Sequence, residues 1–392
     1  MRLTVAGPVN LAQLRLWLDA APAERAAISL SGIAGQVAAL LAAGQAVELV
    51  TWQMAATESW HVDAGALRLH VAPFRQRHRM RDLMRQEREA ITRLVQASRP
   101  DIVHAHWCYE FALGALAAHD PARVVVTAHD WAGNVLRHTP DAYRLGRWWL
   151  FQRTLRQAQH FLAVSPPIEQ WLRQAGRRVH GSIPLGIDAA LIQPSARRYP
   201  SGPPLLLAVN NGFGKLKNVA TLLRAFVGIR RQNPAARLLL LGQNFEPDGP
   251  AAAWARQRQL EAGVGFIGPV DAAAVLRHMD AATLLVHPSL EETQPQVAVE
   301  AMARGLPVLA GWNAHGPEWI LDQGRAGILV DTRKADEVSA GILAVIEDTA
   351  RWEALSQAGL QRARDVFTAD RVAQQHLAVY QRLAGNAGMR SV

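Results

Sequence analysis

The sequence has one cysteine, three lysines and four tyrosines among its 392 residues. A single thiol, Cys108, excludes any disulfide within the chain and any Cys-x-x-Cys metal or redox motif. No apolar run approaches the roughly eighteen residues that a membrane-spanning helix needs. The opening MRLTVAGPVN changes polarity too early for a signal peptide. These absences set the expectation of a cytoplasmic protein. No Walker loop and no Gly-x-Gly-x-x-Gly follows any predicted strand, which argues against a P-loop enzyme and a nicotinamide dehydrogenase. There is no internal repeat and no low-complexity tract.

What is present is apolar and basic. Apolar residues make up 49% and charged ones 19%, enough for well-filled cores, and the length exceeds what one core usually serves. The formal charge of +9 is uneven: residues 1–200 hold 23 Arg, no Lys and 15 acids, whereas residues 201–392 hold 19 basic and 18 acidic residues. A basic half attracts polyanions: nucleic acid, anionic lipid or a phosphorylated substrate. The aromatics form no recognisable nucleic-acid module, so no nucleic-acid partner is expected.

Short β-rich runs alternate with helical spacing throughout. RLTVAG, AVELVT, LRLHVA, DIVHAH, RVVVTAH and HFLAVS read as strands in the first half. PLLLAVN, ARLLLLG, GVGFIG, ATLLVHPS, LPVLAG and GILV do so in the second. With helices such as Val219–Arg231 and Asp336–Ile346 between them, the pattern predicts two doubly wound parallel sheets, each a Rossmann-like α/β domain. The Pro-, Ser- and Gly-rich QPSARRYPSGPP, Gln193–Pro204, reads as the boundary. The expected domains are 1–195, 196–367 and a final helix in 368–392. Ligands of such sheets bind where loops leave the carboxyl ends of strands, and here the expected place is the cleft between domains.

Three loops carry chemistry. VNNGFGKLKNVATLLRAF places Asn211, Gly212, Lys215 and Lys217 between a strand and a helix, a cationic, glycine-permitted turn suited to phosphate. HPSLEETQPQVAVEAMARG places Glu292 in the loop after a strand and Glu300 about one turn into a helix. Pro295 stands at the helix start, and the amides of Gln296 and Val297 face the same space. Solvated lysines and a Glu300–Arg304 pair are the plain alternatives. HAHWC alternates His104, His106 and Cys108 on one strand face, but the second ligand pair of a metal site is missing.

These segments together resemble the retaining glycosyltransferases of family 4, which have the GT-B fold. HPSLEETQPQVAVEAMARGLPV is similar to that family's double-Glu signature. PDIVHAHWCYEFALGAL, VVVTAHDW, FLAVSPPIEQWL, IPLGID, GKLKNVATLLRAF, VGFIGPV and PEWILDQGRAGILV match its landmarks in order. The resemblance implies that Glu292 contacts donor-sugar hydroxyls, Glu300 the ribose and Lys217 the diphosphate. It implies that the amides of Gln296 and Val297 receive phosphate oxygens, that His129 faces the donor sugar from the first domain, and that Gly268–Val270 cradle the base. Gly7, in the reduced loop Gly7–Asn10, joins the donor side, while His106 and Trp131 are acceptor-side candidates. An acceptor hydroxyl, on a glycan or a lipid-linked substrate, is the implied partner of a nucleotide-diphosphate sugar. Metal independence and no resident cofactor are also implied, and cell-surface glycan or glycolipid synthesis is the implied setting.

Three positions depart from the family pattern. Gly212 replaces an Arg, Thr293-Gln294-Pro295 replaces Gly-Phe-Gly, and the first loop has lost glycine. A non-catalytic nucleotide-sugar-binding relative is the alternative. Finally, Phe74–Val95 carries seven Arg against Asp82, Glu87 and Glu89 and reads as a basic amphipathic helix. YRLGRWWLFQR, Tyr143–Arg153, adds a second basic patch with Trp. An anionic membrane surface, reached peripherally from the inner face, is the expected partner of these segments, with core packing as the plain alternative.

Overall fold

The computed structural model describes residues 1–14, 16–18, 31–54 and 56–388. They form two units, one of residues 1–188 and 368–392, the other of residues 189–367.

The first unit is built on β1 (Leu3–Ala6), β2 (Val47–Met54), β3 (Trp60–Ala64), β4 (Leu67–Phe74), β5 (Ile102–His106), β6 (Val124–Ala128), β7 (His160–Ala163) and β8 (Val179–Ser182). Their order is β3-β4-β2-β1-β5-β6-β7-β8. All pairings are parallel except β3 with β4. β5 and β6 are buried along their whole length, which explains their continuous Val- and Ala-rich runs. β3 and β8 carry no such run and escape the sequence reading. β3 is an antiparallel edge strand with every second residue exposed. It returns into β4 through Gly65, whose φ of 73° suits a tight turn.

The second unit holds β9 (Leu205–Val209), β10 (Arg237–Leu241), β11 (Val264–Gly268), β12 (Leu284–His287), β13 (Val308–Gly311) and β14 (Ile328–Val330). All are parallel, in the order β11-β10-β9-β12-β13-β14. The chain therefore steps outward one way from β9, then restarts at β12 and steps the other way. The β9/β12 seam is the switch point of a doubly wound sheet, where such folds bind ligands. The β1/β5 seam is its counterpart in the first unit.

Two expectations need correction. Gln193–Pro204 has a linker's composition but belongs to the second unit. The Gln193 amide donates to the Ala303 carbonyl at 2.9 Å. The Arg197 guanidinium donates to the Met279, Asp280 and Ala282 carbonyls, and the Tyr199 hydroxyl to Ile346 O at 2.6 Å. The division falls at 188/189 because these bonds strap the segment down. The second correction concerns Phe74–Val95, which is not one helix. Phe74 ends β4, a 3-10 turn covers Arg79–Asp82, and the helix runs Arg85–Ser98. His78, Leu83 and Met84 have positive φ and break the helical path. Arg75 is held by Glu87 and Asp82 at 2.6 and 2.8 Å, so part of the arginine count is structural rather than a solvated face.

The last helix, Ala369–Gly388, packs Val372, Tyr380 and Leu383 into the core of the first unit. It also closes a buried histidine cluster. The Tyr380 hydroxyl lies 2.6 Å from His104 Nδ1, and the His104 ring centroid is 5.0 Å from that of His376 and 4.1 Å from that of His106. His106 in turn meets His129, with Nδ1 and Nε2 at 2.9 Å.

Burial pushes all four histidines below the usual range, reinforced by neighbouring imidazoles at His104, His106 and His129 and partly offset by the Val372 carbonyl at His376: His129 to about 3, His376 to about 4, and His104 and His106 well down. The unfolded chain therefore binds more protons than the folded one below pH ~6.5. The cluster's contribution is fully present above that pH and is lost as pH falls toward the folded values, by about 2 kcal/mol for each neutral-held imidazole at pH 5. Urea denaturation should show a lower midpoint at pH 5 than at pH 7, with a smaller drop in His376→Leu. An identical pH dependence in the variant would contradict this assignment.

Candidate functional site

The loops after β9 and β12 are tied together before any functional side chain is placed. Leu290 N donates to Leu216 O at 2.8 Å. Asn218, at φ 54°, donates its side-chain amide to Pro288 O at 3.1 Å and to Thr332 O at 2.7 Å. Asn tolerates this left-handed geometry better than most residues. Lys217, one residue earlier, is thereby directed across the seam. Its Nζ donates to Glu292 Oε1 at 2.6 Å, and His287 Nε2 reaches the same oxygen at 3.1 Å. The side chains of Lys217, Glu292 and His287 are 28%, 16% and 4% exposed. Burial alone would raise the Glu292 carboxyl; the Lys217 ammonium and the His287 hydrogen bond outweigh it and hold the group well below the usual carboxylate range.

The Glu292 loop is seated by Gly316. Glu292 N donates to Ala314 O, and Gly316 N donates back to Glu292 O at 2.9 Å. A Cβ at residue 316 would lie 2.4 Å from Thr293 O and 2.7 Å from Glu292 O. No side chain fits there without moving the loop.

Glu300 lies one turn inside the helix Gln296–Ala303. Its i+4 neighbour Arg304 is taken by Asp280, at 2.5 and 2.8 Å. Among the described residues no hydrogen bond or ion pair reaches the Glu300 carboxyl, and burial raises it. Pro295 is the residue before the helix rather than its first member. The amides of Gln296 and Val297 are thus the first two of the helix, without intrahelical acceptors. The buried Gln296 side-chain nitrogen also lacks a partner. A carboxyl and a set of donors, all unsatisfied at one helix start, form a place for a ligand that offers hydroxyls and anionic oxygens.

The other second-unit candidates are more dispersed. Gly212 adopts φ 100° and donates to Gln243 O at 3.0 Å, and Asn211 accepts from Gln243 N at 3.3 Å, so both brace the loop. Gly268, at φ 79°, ends β11 and accepts from Gly242 N, with Val270 half-buried beyond it. Lys215 is exposed and does not join the Lys217–Glu292 pair. It lines a separate cavity of about 410 Å³ with Phe213, Arg224 and Trp254.

In the first unit the structure brings together Gly7, His106 and His129. A Cβ on Gly7 would lie 3.0 Å from the His106 Cβ, so the absence of a side chain after β1 lets the His106 ring occupy the seam. His106 is 1% exposed, which removes it from any surface that an acceptor could touch. Trp131 is half-buried, with its ring against Phe151 at 5.1 Å and Trp171 at 5.7 Å, a packing role in the first unit. Cys108 is buried, and among the described residues no three His, Cys, Asp or Glu side chains converge on a common point for a metal.

Sequence reasoning missed His287, Asn218 and Tyr380. HPS marks His287 as the last strand residue, next to a candidate acid, which is a usable signal. The others act through distant partners that spacing does not reveal.

Two family models account for most of the chain: one described as Glycosyltransferase Family 4 matches residues 33–191, and one described as Glycosyl transferases group 1 matches residues 193–362. An MMP alpha-(1->4)-mannosyltransferase of Mycolicibacterium hassiacum is 27% identical over 72% of this chain and 70% of its own length. Sucrose-phosphate synthase from Thermosynechococcus elongatus superposes with a TM-score of 0.78 at 20% identity, covering 98% of this chain and 100% of that one. The Anabaena protein HepE, solved with UDP-glucose, gives 0.67 at 19% identity, covering 97% and 100%. With two Rossmann-like units and these matches, the chain belongs to the family 4 type of nucleotide-sugar glycosyltransferases, on the GT-B fold.

Proposed function

We propose that the protein transfers a sugar from a nucleoside-diphosphate sugar to an acceptor hydroxyl with retention at the anomeric carbon. The observation that carries this reading is the ion pair of Lys217 with Glu292 beside the unpartnered Glu300 at the start of one helix. Glu300 accepts hydrogen bonds from the ribose hydroxyls. Lys217 and the amides of Gln296 and Val297 meet the diphosphate, whose negative charge grows as the bond to the sugar breaks. Glu292, kept ionised by Lys217 and His287, orients the sugar hydroxyls. A cationic group and helix amides aimed at the leaving diphosphate do the work that a divalent ion does elsewhere, so the reaction is proposed to be metal-independent. An acceptor oxygen attacks from the leaving-group side, and a phosphate oxygen takes its proton. Thr293-Gln294-Pro295 makes the sugar-facing loop stiff: Gln294 and Pro295 are both buried, and proline fixes its own φ. A narrow choice of donor sugar follows from that stiffness.

A membrane-bound acceptor in the synthesis of a surface glycan or glycolipid fits the basic first unit, and a cytoplasmic, peripheral setting goes with it. Leu145, Trp148 and Trp149 are 54%, 36% and 40% exposed on the helix Ala142–Gln157, with the Arg153 guanidinium 4.9 Å from the Trp149 ring. Gly146 of that helix lies against Met80, in the arginine-rich turn. Exposed aromatic side chains with an arginine beside them suit an anionic lipid interface. Among the described residues no helix is long and apolar enough to cross a membrane.

Lys217→Ala should lower turnover with the preferred nucleotide-sugar by roughly 10²–10³, and Glu300→Gln should weaken nucleotide binding measured calorimetrically. Near-wild-type turnover in the first, or unchanged affinity in the second, would remove those roles. Binding without transfer from any member of a UDP-, GDP- and ADP-sugar panel would identify a non-catalytic relative. Separately, the protein should float with anionic but not neutral liposomes, and Trp148→Ala/Trp149→Ala should reduce recovery. Equal recovery with both vesicle types would sink the membrane reading.

A further inference from the structure

The two cations of the loop after β9 serve different places. Lys217 reaches across the seam to Glu292. Lys215, two residues earlier, lines the cavity of about 410 Å³ together with Thr221 and Arg224 of the helix Val219–Gln232 and Trp254 of the helix Pro250–Arg256. Lys217 N and Asn218 N both donate to Gly214 O, at 3.1 and 3.2 Å, so one closed turn carries both ammonium groups.

The cavity has an anchored aromatic wall. The Phe213 and Trp254 rings meet edge to face, with centroids 5.5 Å apart. Phe213 N donates to Asn244 Oδ1 at 3.4 Å, and its ring rests edge-on against Phe245, which is 1% exposed. Both wall residues thereby pack on the core of the second unit. Around them stand Lys215, Arg224 and Arg258, all exposed. The guanidinium carbons of Arg224 and Arg258 lie 5.3 and 4.5 Å from the centre of the Trp254 ring.

These cations have no counter-charge. No acidic residue lines the cavity, and among the described residues no carboxylate pairs with any of the three. Other arginines of the same unit are answered, Arg304 by Asp280 and Arg333 by Asp331. General basicity does not explain the cluster, since residues 201–392 hold 19 basic and 18 acidic residues. A concave surface lined by one sign of charge over an apolar wall concentrates the opposite sign. Lys215 offers a point charge and Arg224 a planar fork, the two forms of cation that hold phosphate oxygens. The helix start contributes little: Thr221 N already donates to Asn218 O at 3.0 Å, and the Thr221 hydroxyl to Asn218 Oδ1 at 2.7 Å. The volume lies in the range of small-molecule sites, roughly 300–1,000 Å³.

We propose that this cavity is a second anion site, which takes a small phosphate ester with its phosphate on Lys215 and Arg224 and its organic ring against Phe213 and Trp254. Lys215 therefore leaves the donor-binding role expected from the sequence for a site of its own. The site lies wholly within the second unit and stands whether or not Lys217 meets a nucleotide-sugar.

Calorimetric titration of the full-length protein with inorganic phosphate, glucose 6-phosphate and AMP tests this. Inorganic phosphate is expected to bind, and at least one ester to bind roughly fivefold more tightly, the worth of a ring against the aromatic wall. The tighter ester tells a sugar phosphate from a nucleotide as the natural class. Lys215→Ala and Arg224→Ala should each weaken binding about tenfold, the worth of one charged hydrogen bond. Arg224→Glu should abolish it and Lys215→Arg should keep it; these side chains are exposed, so the fold is retained. Trp254→Leu should remove the advantage of the ester over inorganic phosphate. Lys217→Ala should leave all three affinities unchanged. Binding lost in Lys217→Ala but kept in Lys215→Ala and Arg224→Ala would put the anion in the donor site and overturn the proposal. So would a lack of phosphate binding in the unaltered protein. Failure of every nucleotide-sugar to bind would refute the donor reading and leave this site untouched.

Discussion

A half-buried ammonium and a nearly buried carboxylate, 2.6 Å apart across the seam of two adjacent strands, are the constraint on which the second unit's site depends. Neither charge is tolerable alone in that position, since removing one partner strands the other in a poorly solvated place. The surrounding loops are accordingly built to bring them together. Asn218 bridges the loop after β9 to two carbonyls, His287 supports the same carboxylate oxygen, and Gly316 leaves room for the loop that carries Glu292. An incoming diphosphate offers Lys217 a more highly charged partner, and sugar hydroxyls offer Glu292 new donors. On the function proposed above, the pair is a placeholder that keeps both groups oriented and charged until the ligand replaces it.

The first unit applies the same topology with uncharged groups. Gly7 follows β1 and His106 ends β5, so these residues meet at the β1/β5 seam as Lys217 and Glu292 meet at β9/β12. Where the second unit uses an ion pair, the first uses a hydrogen-bonded chain of imidazoles sealed by Tyr380. Burial keeps those rings neutral, which suits hydrogen-bond donation at fixed geometry and makes the unit sensitive to acid. The return of the chain after residue 367 is what brings Tyr380 and His376 to this cluster.

Much of this was legible in the residues. Twelve of the fourteen strands among the described residues announce themselves as apolar, β-rich runs, most plainly those such as β5 and β6 that are covered on both faces. β3 and β8 do not, because polar residues interrupt their short segments WHVDA and VHGS. Glu292, Glu300 and Lys217 stood out through their resemblance to a family signature carried on local strand–loop–helix units; spacing alone left solvated side chains as an equal reading. His106 was recognisable as interesting, but its burial depends on Gly7, 99 positions away in sequence, and no local pattern reports that. The same limit hid Tyr380, whose partner His104 is 276 positions distant. Gln193–Pro204 misled for the opposite reason: its composition is that of a linker, and the bonds of Arg197 and Tyr199 that hold it are long-range. The arginines of Phe74–Val95 read as a surface helix because spacing cannot show that Arg75 folds back onto Glu87.

The central claim is that the Lys217–Glu292 pair is exchanged for a nucleotide-sugar lying across the start of the helix Gln296–Ala303. A crystal structure of the protein with an intact or fluorinated nucleoside-diphosphate sugar tests it most directly. The account predicts diphosphate oxygens on Lys217 Nζ and on the amides of Gln296 and Val297, ribose hydroxyls on Glu300, and the sugar against Glu292. A ligand bound elsewhere, with the Lys217–Glu292 contact intact and Glu300 still without a partner, would contradict it.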